Sequence, residues 1–251
     1  MGCTSSKVQD VGELHDAECL QRTPAAAREA SAVLGRAFAG TATTVPELAF
    51  EWCSGGKWDE PTRAQAALAW IMRYIIEESF ALGKRGAVVA CRGADGAVVG
   101  VMALKIYRST PADSACAEAT AFARVGLPHG EAERYSNTDK NLRLAALLKA
   151  SKRLHKAHAP GPHVYLQAVA VDPAAQGQGV GGRLLRAALA IADRERLPCY
   201  LETCGPRNPE IYAKYGFVVA GQEEMRTKTT KKKEGEVCEF PYIGMVRPRR
   251  P

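Results

Sequence analysis

A chain of 251 residues can bury one large core, and a composition of 46% hydrophobic and 24% charged residues is typical of a globular protein and not of a disordered one. The formal net charge of +7 suits an anionic ligand or membrane surface, but no basic stripe studded with aromatic residues indicates a nucleic acid partner. No apolar run approaches the roughly twenty residues of a membrane span, and the scattered cysteines favour a reducing compartment without structural disulfides.

The N-terminus carries an acylation pattern. Residues 1–7 read MGCTSSK, which fits the signal for myristoylation of Gly2, and the adjacent Cys3 offers a thiol for a palmitoyl group. One myristoyl chain binds a membrane only marginally, whereas a second chain makes attachment stable. We therefore expect a flexible tail over residues 1–11 and a cytoplasmic protein that is held at a membrane where both groups are added. The alternative is a chance match at a polar terminus.

The first half of the chain predicts a strand, two helices and a hairpin. Thr23 is a suitable N-cap and Pro24 is tolerated in the first helical turn, so a helix begins there. The Asp95-Gly96 pair predicts a hairpin turn. The predicted elements are a strand within residues 12–22, helices over 24–40 and 61–82, and strands over 86–91 and 97–107.

Residues 108–163 form an insertion with two predicted helices, over 114–124 and 139–158. The second helix has a basic face and a leucine-rich side. It is either an amphipathic helix packed on the sheet or a lid over a binding site that also touches anionic lipid. Three histidines in or just after it, His155, His158 and His163, could suggest a metal. No carboxylate or cysteine completes a ligand set, so no metal is predicted.

The most informative segment runs from Val164 to Gly182. It begins with a β-rich apolar run, is broken at Asp172-Pro173, and passes through several glycines into an amphipathic helix. The first N–H groups of a helix are unpaired and its dipole is positive there, so this turn favours an anion such as a phosphate.

Two glycine motifs overlap in this turn. Gly177-x-Gly179-x-x-Gly182, with Glu202 about twenty residues on, matches the dinucleotide fingerprint, but only one βαβ unit is visible and five residues separate the strand from the first glycine. The second motif is Gln176-x-x-Gly179-x-Gly181, preceded by the sequence AVDP. It resembles the pyrophosphate loop of the GCN5-related N-acetyltransferases, the GNAT family. A glycine-rich turn without a ligand is the remaining alternative.

The downstream sequence favours the second motif. A strand is predicted over residues 198–204, and NPEIYAKYGF follows from Asn208 to Phe217. This resembles the GNAT pattern in which a short helix ends at Gly-Phe and a tyrosine, here Tyr212, precedes that glycine by four. The resemblance is nearest to the puromycin N-acetyltransferase group and covers about residues 164–221.

The resemblance implies a fold and a cosubstrate. The fold is the α/β (α+β) acyl-CoA N-acyltransferase fold, a central mixed sheet of about seven strands flanked by helices, with a helical insertion between the third and fourth strands. The main chain at Val169–Val171 would pair with the pantetheine arm of acetyl-CoA, and the glycine turn would hold the pyrophosphate. The implied acetyl-CoA-binding residues are Val169, Ala170, Val171, Gln176, Gly177, Gln178, Gly179, Val180, Gly181, Gly182, Arg183 and Asn208.

The resemblance also implies two catalytic residues. Glu202 occupies the place of a general base in some members, and Tyr212 that of the acid for the leaving thiolate. Each has a structural alternative, because Glu202 can pair with a cation at a strand end and Tyr212 can pack against CoA. Tyr215 is expected to belong to the core. Cys204 has no histidine partner for covalent catalysis.

The C-terminal part predicts two more strands, over 217–225 and 237–246, with a charged loop over 226–235 between them. Pro241 places the last strand at an edge or a bulge. One domain is expected over residues 12–247, followed by a basic tail over 248–251. The predicted activity is acetyl transfer from acetyl-CoA to a primary amine of a small molecule or a protein. The alternative is a CoA-binding regulatory or scaffold module at a membrane, without turnover.

Overall fold

The computed structural model describes residues 16–40, 47–54, 61–108, 115–129, 132, 138–226 and 239–250. The acylation pattern at Gly2 and Cys3, the predicted loop over 226–235 except for its first residue, and the proposed tail over 1–11 lie outside these residues. None of the helices in the described part of the chain is both long and apolar enough to cross a membrane.

A seven-stranded mixed sheet forms the centre of the molecule, in the order β1-β2-β3-β4-β5-β7-β6. The strands are Glu18–Cys19 (β1), Gly86–Arg92 (β2), Val98–Tyr107 (β3), His163–Val171 (β4), Cys199–Cys204 (β5), Val218–Arg226 (β6) and Glu239–Arg247 (β7). The helices are Pro24–Ala39 (α1), Leu48–Ser54 (α2), Pro61–Ala81 (α3), Ala115–Val125 (α4), Thr138–His158 (α5), Val180–Glu195 (α6) and Asn208–Ala213 (α7).

Local sequence signals set several of these boundaries as predicted. The Thr23 hydroxyl accepts a hydrogen bond from the N–H of Ala26 at 3.1 Å, and Pro24 occupies the first turn of α1. The β2–β3 hairpin turns through Asp95-Gly96, where glycine takes a φ of +81°. The two insertion helices also lie within one residue of their predicted positions.

Two apolar cores cover the two faces of the sheet. Helix α6 packs on one face, where Leu184 and Ile191 are fully buried against Met102 and other strand residues. Helices α1 and α3 pack on the opposite face around Leu34 and Ile76. Helices on both faces of a mixed sheet confirm the predicted α/β class, with the insertion lying between β3 and β4.

The insertion packs against the domain rather than forming a separate unit. Helix α4 lies against α3, and α5 lies against α2 and the strands β5, β6 and β7. Arg143 on α5 is buried, donates to the main-chain oxygen of Trp52 at 3.1 Å and lies over the Trp52 ring. The amphipathic interpretation of α5 is therefore confirmed by Leu147 and Leu154, which are buried on its inner side.

The prediction that the last strand lies at an edge is wrong for most of its length. Strand β7 lies between β5 and β6, and β6 forms the edge. The physical reason is local, because the pairing of β5 with β7 ends at Cys204 and Tyr242, one residue after Pro241. Pro241 therefore pairs with one neighbouring strand only, where it lies opposite Glu224. No strand is paired with it on the other side, so the N–H that proline lacks is not needed there for a sheet hydrogen bond.

Candidate active site

The site begins where two parallel strands separate. Strands β4 and β5 pair only at Val164 with Cys199 and at Tyr165 with Tyr200. On its other side β4 continues to pair with β3 as far as Val171. The edge of β4 that faces β5 is therefore without a strand partner over its second half, and its main-chain groups are available to an extended ligand.

A bulge in β4 turns its side chains at the same point. The register with β3 shifts between Leu104 and Ala103, which leaves Gln167 as the extra residue on β4. Leu166 packs in the α6 core, whereas Ala168 packs in the opposite core, so the alternation of faces reverses across Gln167. The bulge thus directs Gln167 to the side where the two strands diverge.

The turn after β4 has the geometry of an anion site. Asp172 accepts a hydrogen bond from the N–H of Ala174 at 3.1 Å and is itself held by Arg36 on α1. Gly177 and Gly179 take φ values of +78° and +77°, a region in which L side chains are strained. Within this described turn, the first N–H after Gln176 that has a main-chain partner is Arg183, so the N–H groups from Gly177 to Gly182 are left for a ligand.

A further arginine of α6, besides the predicted Arg183, lies beside this turn. A Cβ on Gly182 would lie 2.7 Å from the Tyr215 hydroxyl and 3.3 Å from Nη1 of Arg186. Arg183 lies close enough to Cys91 on β2 to lower the pKa of that thiol, against a larger upward effect of burial. The Arg186 guanidinium therefore lies beside Gly182. Its spacing of four residues from Gly182, one helical turn, was the available sequence signal.

A groove, here called the outer groove, runs from this turn to the gap between β4 and β5. It has a volume of about 610 Å³. Predicted residues that line it are Val169, Ala170, Val171, Gln176, Gly181, Gly182, Asn208 and Tyr212. Gly177, Gln178, Gly179 and Val180 lie in the adjoining turn without lining the groove itself. Tyr215, expected in the core, packs partly against it and also lines the groove.

A second cavity, here called the inner cavity, lies deeper between the same strands and has a volume of about 210 Å³. Glu202, Gln167, Ser151 and Tyr242 are among its lining residues. The two spaces share five lining residues, namely Phe38, Glu47, Val169, Asn208 and Tyr212. A ligand in the outer groove and one in the inner cavity would therefore meet at these side chains.

Glu202 is held inside the inner cavity by two hydroxyl donors. The Tyr165 hydroxyl donates to Oε2 at 2.6 Å, and the Ser151 hydroxyl on α5 donates to Oε1 at 3.1 Å. Burial raises the pKa of Glu202 to about 7, while these hydrogen bonds act in the opposite direction. A carboxyl group with a pKa near neutrality can accept or release a proton at physiological pH. The described contacts contain no cation paired with Glu202, which disfavours the ion-pair alternative.

Tyr212 and Asn208 lie at the junction of the two spaces. The Tyr212 ring packs edge-on against Phe217, with ring centres 5.9 Å apart, and burial raises the pKa of its hydroxyl above the ordinary value. The Asn208 amide donates to the main-chain oxygen of Cys204 at 2.8 Å, which fixes the start of α7 to the end of β5.

Glu47 is a site residue that the sequence did not reveal. It lines both spaces, accepts a hydrogen bond from the Cys204 thiol, and also accepts one from the N–H of Phe50 at the start of α2. Burial raises the pKa of Glu47 and that of the Cys204 thiol. Cys204 is therefore held as a neutral thiol, which disfavours it as a nucleophile. No motif marks Glu47, because it follows α1 at a distance from the other site residues in sequence.

The three histidines considered as metal ligands do not form one cluster. His155 and His163 approach to 2.7 Å between their Nε2 atoms, while the His158 ring lies beside Gly221 on β6. His155 stacks on Tyr200, and burial lowers its pKa to about 4. Within the described ranges, no group of three side chains suited to a metal ion is present.

Comparison with known proteins agrees with this geometry. Residues 144–219, which include β4, the glycine turn, α6, β5 and α7, match the family model described as an acetyltransferase (GNAT) domain. This part of the chain is similar to the GNAT family.

Solved GNAT structures share the fold at low sequence identity. One from Corynebacterium glutamicum, described as histone acetyltransferase HPA2 and related acetyltransferase, is 21% identical, with coverage of 94% of this chain and 98% of that one and a TM-score of 0.55. Arylalkylamine N-acetyltransferase 2 from Aedes aegypti is 13% identical over 93% of this chain and 99% of that one, with a TM-score of 0.54. A polyamine N-acetyltransferase from Drosophila melanogaster is 12% identical over 92% and 99%, with a TM-score of 0.53.

This match agrees with the predicted acetyl-CoA-dependent acetyltransferase. It selects the acetyltransferase loop over the dinucleotide fingerprint, since the match spans both the glycine turn and the Tyr212 segment. The unpaired edge of β4 and the free N–H groups of the turn fit an extended cosubstrate with a diphosphate. The nearer resemblance to the puromycin group stays a prediction.

Proposed function

We propose that this protein moves an acetyl group from acetyl-CoA directly to a primary amine within a ternary complex. The observation that carries the proposal is the junction of the outer groove with the inner cavity, where a turn suited to a diphosphate leads to a carboxyl group with a pKa near 7. Direct transfer requires the two substrates to meet, and the shared lining residues provide that meeting point.

The turn and the edge of β4 would bind the cosubstrate. The N–H groups from Gly177 to Gly182 would hold the diphosphate, with the Arg186 guanidinium beside them. The main chain of Val169–Val171 would pair with the extended arm. An N–H near Val169 or Ala170 would face the thioester oxygen and stabilise negative charge on it, an effect that typically contributes a few kcal/mol. Acetyl-CoA supplies the activated acetyl group.

Glu202 would act as the general base. The amine nitrogen forms a bond to the thioester carbon while its proton passes to the Glu202 carboxylate. Tyr165 and Ser151 would keep that carboxylate oriented toward the inner cavity. Glu47 also lies at the junction, but its carboxyl group already accepts hydrogen bonds from the Cys204 thiol and the N–H of Phe50. We assign Glu47 to shaping the site and Glu202 to the proton step.

Tyr212 would complete the reaction as general acid. When the carbon–sulfur bond breaks, the thiolate takes a proton from the Tyr212 hydroxyl, which lies at the junction and stays protonated because its pKa is raised. Asn208 would contact the cosubstrate near its thiol end.

The test is thiol release from acetyl-CoA with and without primary amines, with mass spectrometry of the acetylated amine. We expect release that depends on the amine and a product heavier by one acetyl group. Binding of acetyl-CoA without amine-dependent release would favour a CoA-binding regulatory module instead. A protein that gives no calorimetric heat with acetyl-CoA would refute the assignment of the turn.

We further propose that the N-terminus is acylated at Gly2 and Cys3, which would hold the enzyme at the cytosolic face of a membrane. The support is the sequence MGCTSSK. Gly2→Ala should move the protein from the membrane fraction to the cytosol of a eukaryotic cell. Cys3→Ser should give weaker and reversible attachment, because a single myristoyl chain binds only marginally. If the Gly2→Ala variant is distributed between membrane and cytosol as the unmodified protein is, the acylation proposal is wrong.

A further inference from the structure

A third cavity, here called the helix cavity, lies between α2, α3 and α5. It has a volume of about 370 Å³, which is within the range of about 300–1,000 Å³ typical of small-molecule sites. Its walls are mostly apolar and include Leu68, Trp70 and Ile71 from α3 and Leu144 and Leu148 from α5. Leu148 is 54% exposed, so the wall is not filled by the protein's own packing.

The helix cavity adjoins the inner cavity. Phe50, Ile71, Leu144 and Leu148 line both, so the two spaces lie against the same four side chains. The inner cavity in turn meets the outer groove at Tyr212. A molecule that extends from the inner cavity into the helix cavity would thus have one end at the catalytic groups and the other end among apolar side chains.

The two ends differ in chemistry. At the inner end, the side-chain oxygen of Gln167 is buried and has no hydrogen-bond partner in the described part of the chain, and it lies with Glu202 among the lining residues. An unpaired buried acceptor costs free energy that an N–H donor from a ligand would recover. The described lining of the helix cavity contains no carboxylate, and its one permanently charged residue is Lys140. A second ammonium group would therefore meet no carboxylate among these described residues.

We propose that the acceptor is a primary amine attached to an apolar body about the size of an aromatic ring. The amine lies in the inner cavity beside Gln167 and Glu202, and the apolar body occupies the helix cavity. This rests on the proposed acetyl transfer and names the substrate class of that site. The insertion helix α5 then determines specificity, since it supplies Leu144 and Leu148 to the apolar wall and Ser151 to Glu202.

The first measurement compares 2-phenylethylamine, ethylamine and butane-1,4-diamine as acceptors in the thiol-release reaction. One methylene group in an apolar pocket changes kcat/KM by about 10-fold or more, so a phenyl group should give at least about 100-fold. We expect 2-phenylethylamine to exceed ethylamine by that factor and the diamine to gain nothing over ethylamine. Equal values for the three amines, or a preference for the diamine, would overturn the inference.

The second measurement uses two matched variants of α5. Ala145 is exposed and lines the helix cavity, whereas the neighbouring Ala146 is also exposed but lines none of the three spaces. Ala145→Trp should lower kcat/KM for 2-phenylethylamine by at least about tenfold more than kcat/KM for ethylamine. Ala146→Trp should change neither. Equal behaviour of the two variants would place the apolar body elsewhere.

Calorimetry separates failure of this inference from failure of the proposed function. With the protein saturated with CoA, 2-phenylethylamine should bind about 100-fold more tightly than ethylamine, and Ala145→Trp should remove most of that difference. If no amine is acetylated although these affinities hold, the transfer reaction is wrong and the apolar site stands. If amines are acetylated and the affinities are equal, the reaction stands and the apolar site is wrong.

Discussion

The outer groove and the inner cavity are built in different ways. The groove comes largely from one continuous stretch, from β4 through the glycine turn and α6 to α7, and its main features are main-chain groups. The inner cavity collects side chains from α2, α3, α5, β5 and β7 as well as β4. A site made of main-chain atoms is recognisable in a local sequence, whereas a site made of distant side chains depends on how the chain folds.

The largest expected effect concerns the main-chain site. Gly179→Glu should abolish detectable binding of acetyl-CoA by calorimetry, because it strains a φ of +77° and places a carboxylate where a diphosphate would lie. Gly126→Glu is a matched control, since Gly126 has a φ of +71°, open space around its Cβ position and no place in the groove. Normal binding by the first variant would refute the assignment of the turn.

Next in size is the loss of the proposed base. Glu202→Gln should lower kcat/KM by about 10³-fold, within the range typical of general base catalysis. In the unmodified enzyme, the carboxylate form is the active one and its pKa is about 7, so kcat/KM calculated for the unprotonated amine should rise with pH and level off above that value. The variant should lose this rise. A rise that persists unchanged in Glu202→Gln would transfer the role to another group, with Glu47 as the first to test.

The raised pKa of Glu202 should also make the free energy of unfolding depend on pH. Because the pKa of Glu202 is raised in the folded state from 4.5 to about 7, the unfolded protein releases this proton more readily. The folded protein should lose free energy of unfolding as pH rises from about 4.5 to 7, by up to about 3 kcal/mol for this group. Glu202→Gln should show a smaller loss in denaturant titrations at pH 5 and pH 8.

The sequence predicted the groove better than the cavity for a physical reason. The strand, the glycine turn and the helix follow from hydrophobic periodicity and from backbone conformations that favour glycine, all within twenty residues. Glu202 and Tyr212 were found only through family resemblance. Gln167 was missed because a bulge at this residue reverses which face of the sheet the following side chains lie on. The alternation of residue types in β4 does not indicate this bulge.

Loss of the proposed acid should have a smaller effect than loss of the base. Tyr212→Phe should lower kcat about 10²-fold with little change in KM for acetyl-CoA, because the ring still packs against Phe217 and only the proton is lost. Tyr215→Phe is the control, since its hydroxyl lies beside Gly182 instead of at the junction. We expect it to affect cosubstrate binding more than kcat. An unchanged kcat in Tyr212→Phe would remove Tyr212 from the mechanism.

A smaller effect is expected from Arg183 and Arg186 of α6. Arg186→Ala should weaken acetyl-CoA binding about tenfold at low salt and less at high salt, because its guanidinium lies beside Gly182 at the turn. Arg183→Ala should weaken it less if its charge acts mainly on the Cys91 thiol, whose pKa it lowers. Calorimetry at two salt concentrations would measure both. If Arg183→Ala weakens acetyl-CoA binding more than Arg186→Ala does, Arg183 is the main cation at the diphosphate, as the family resemblance implied.

The smallest expected effect concerns the hydrogen bond from Ser151 on α5 to Glu202. The Ser151 hydroxyl on α5 donates to Glu202 and so favours its carboxylate form. Ser151→Ala should raise the pKa of Glu202, which would lower kcat/KM two- to threefold at pH 7 and leave it unchanged at pH 9, where the group is ionised in both proteins. Lys152→Ala, an exposed neighbour on the same helix, should leave the pH profile unchanged. A uniform loss at both pH values would mean that Ser151 positions the acceptor instead, and that α5 acts on specificity alone.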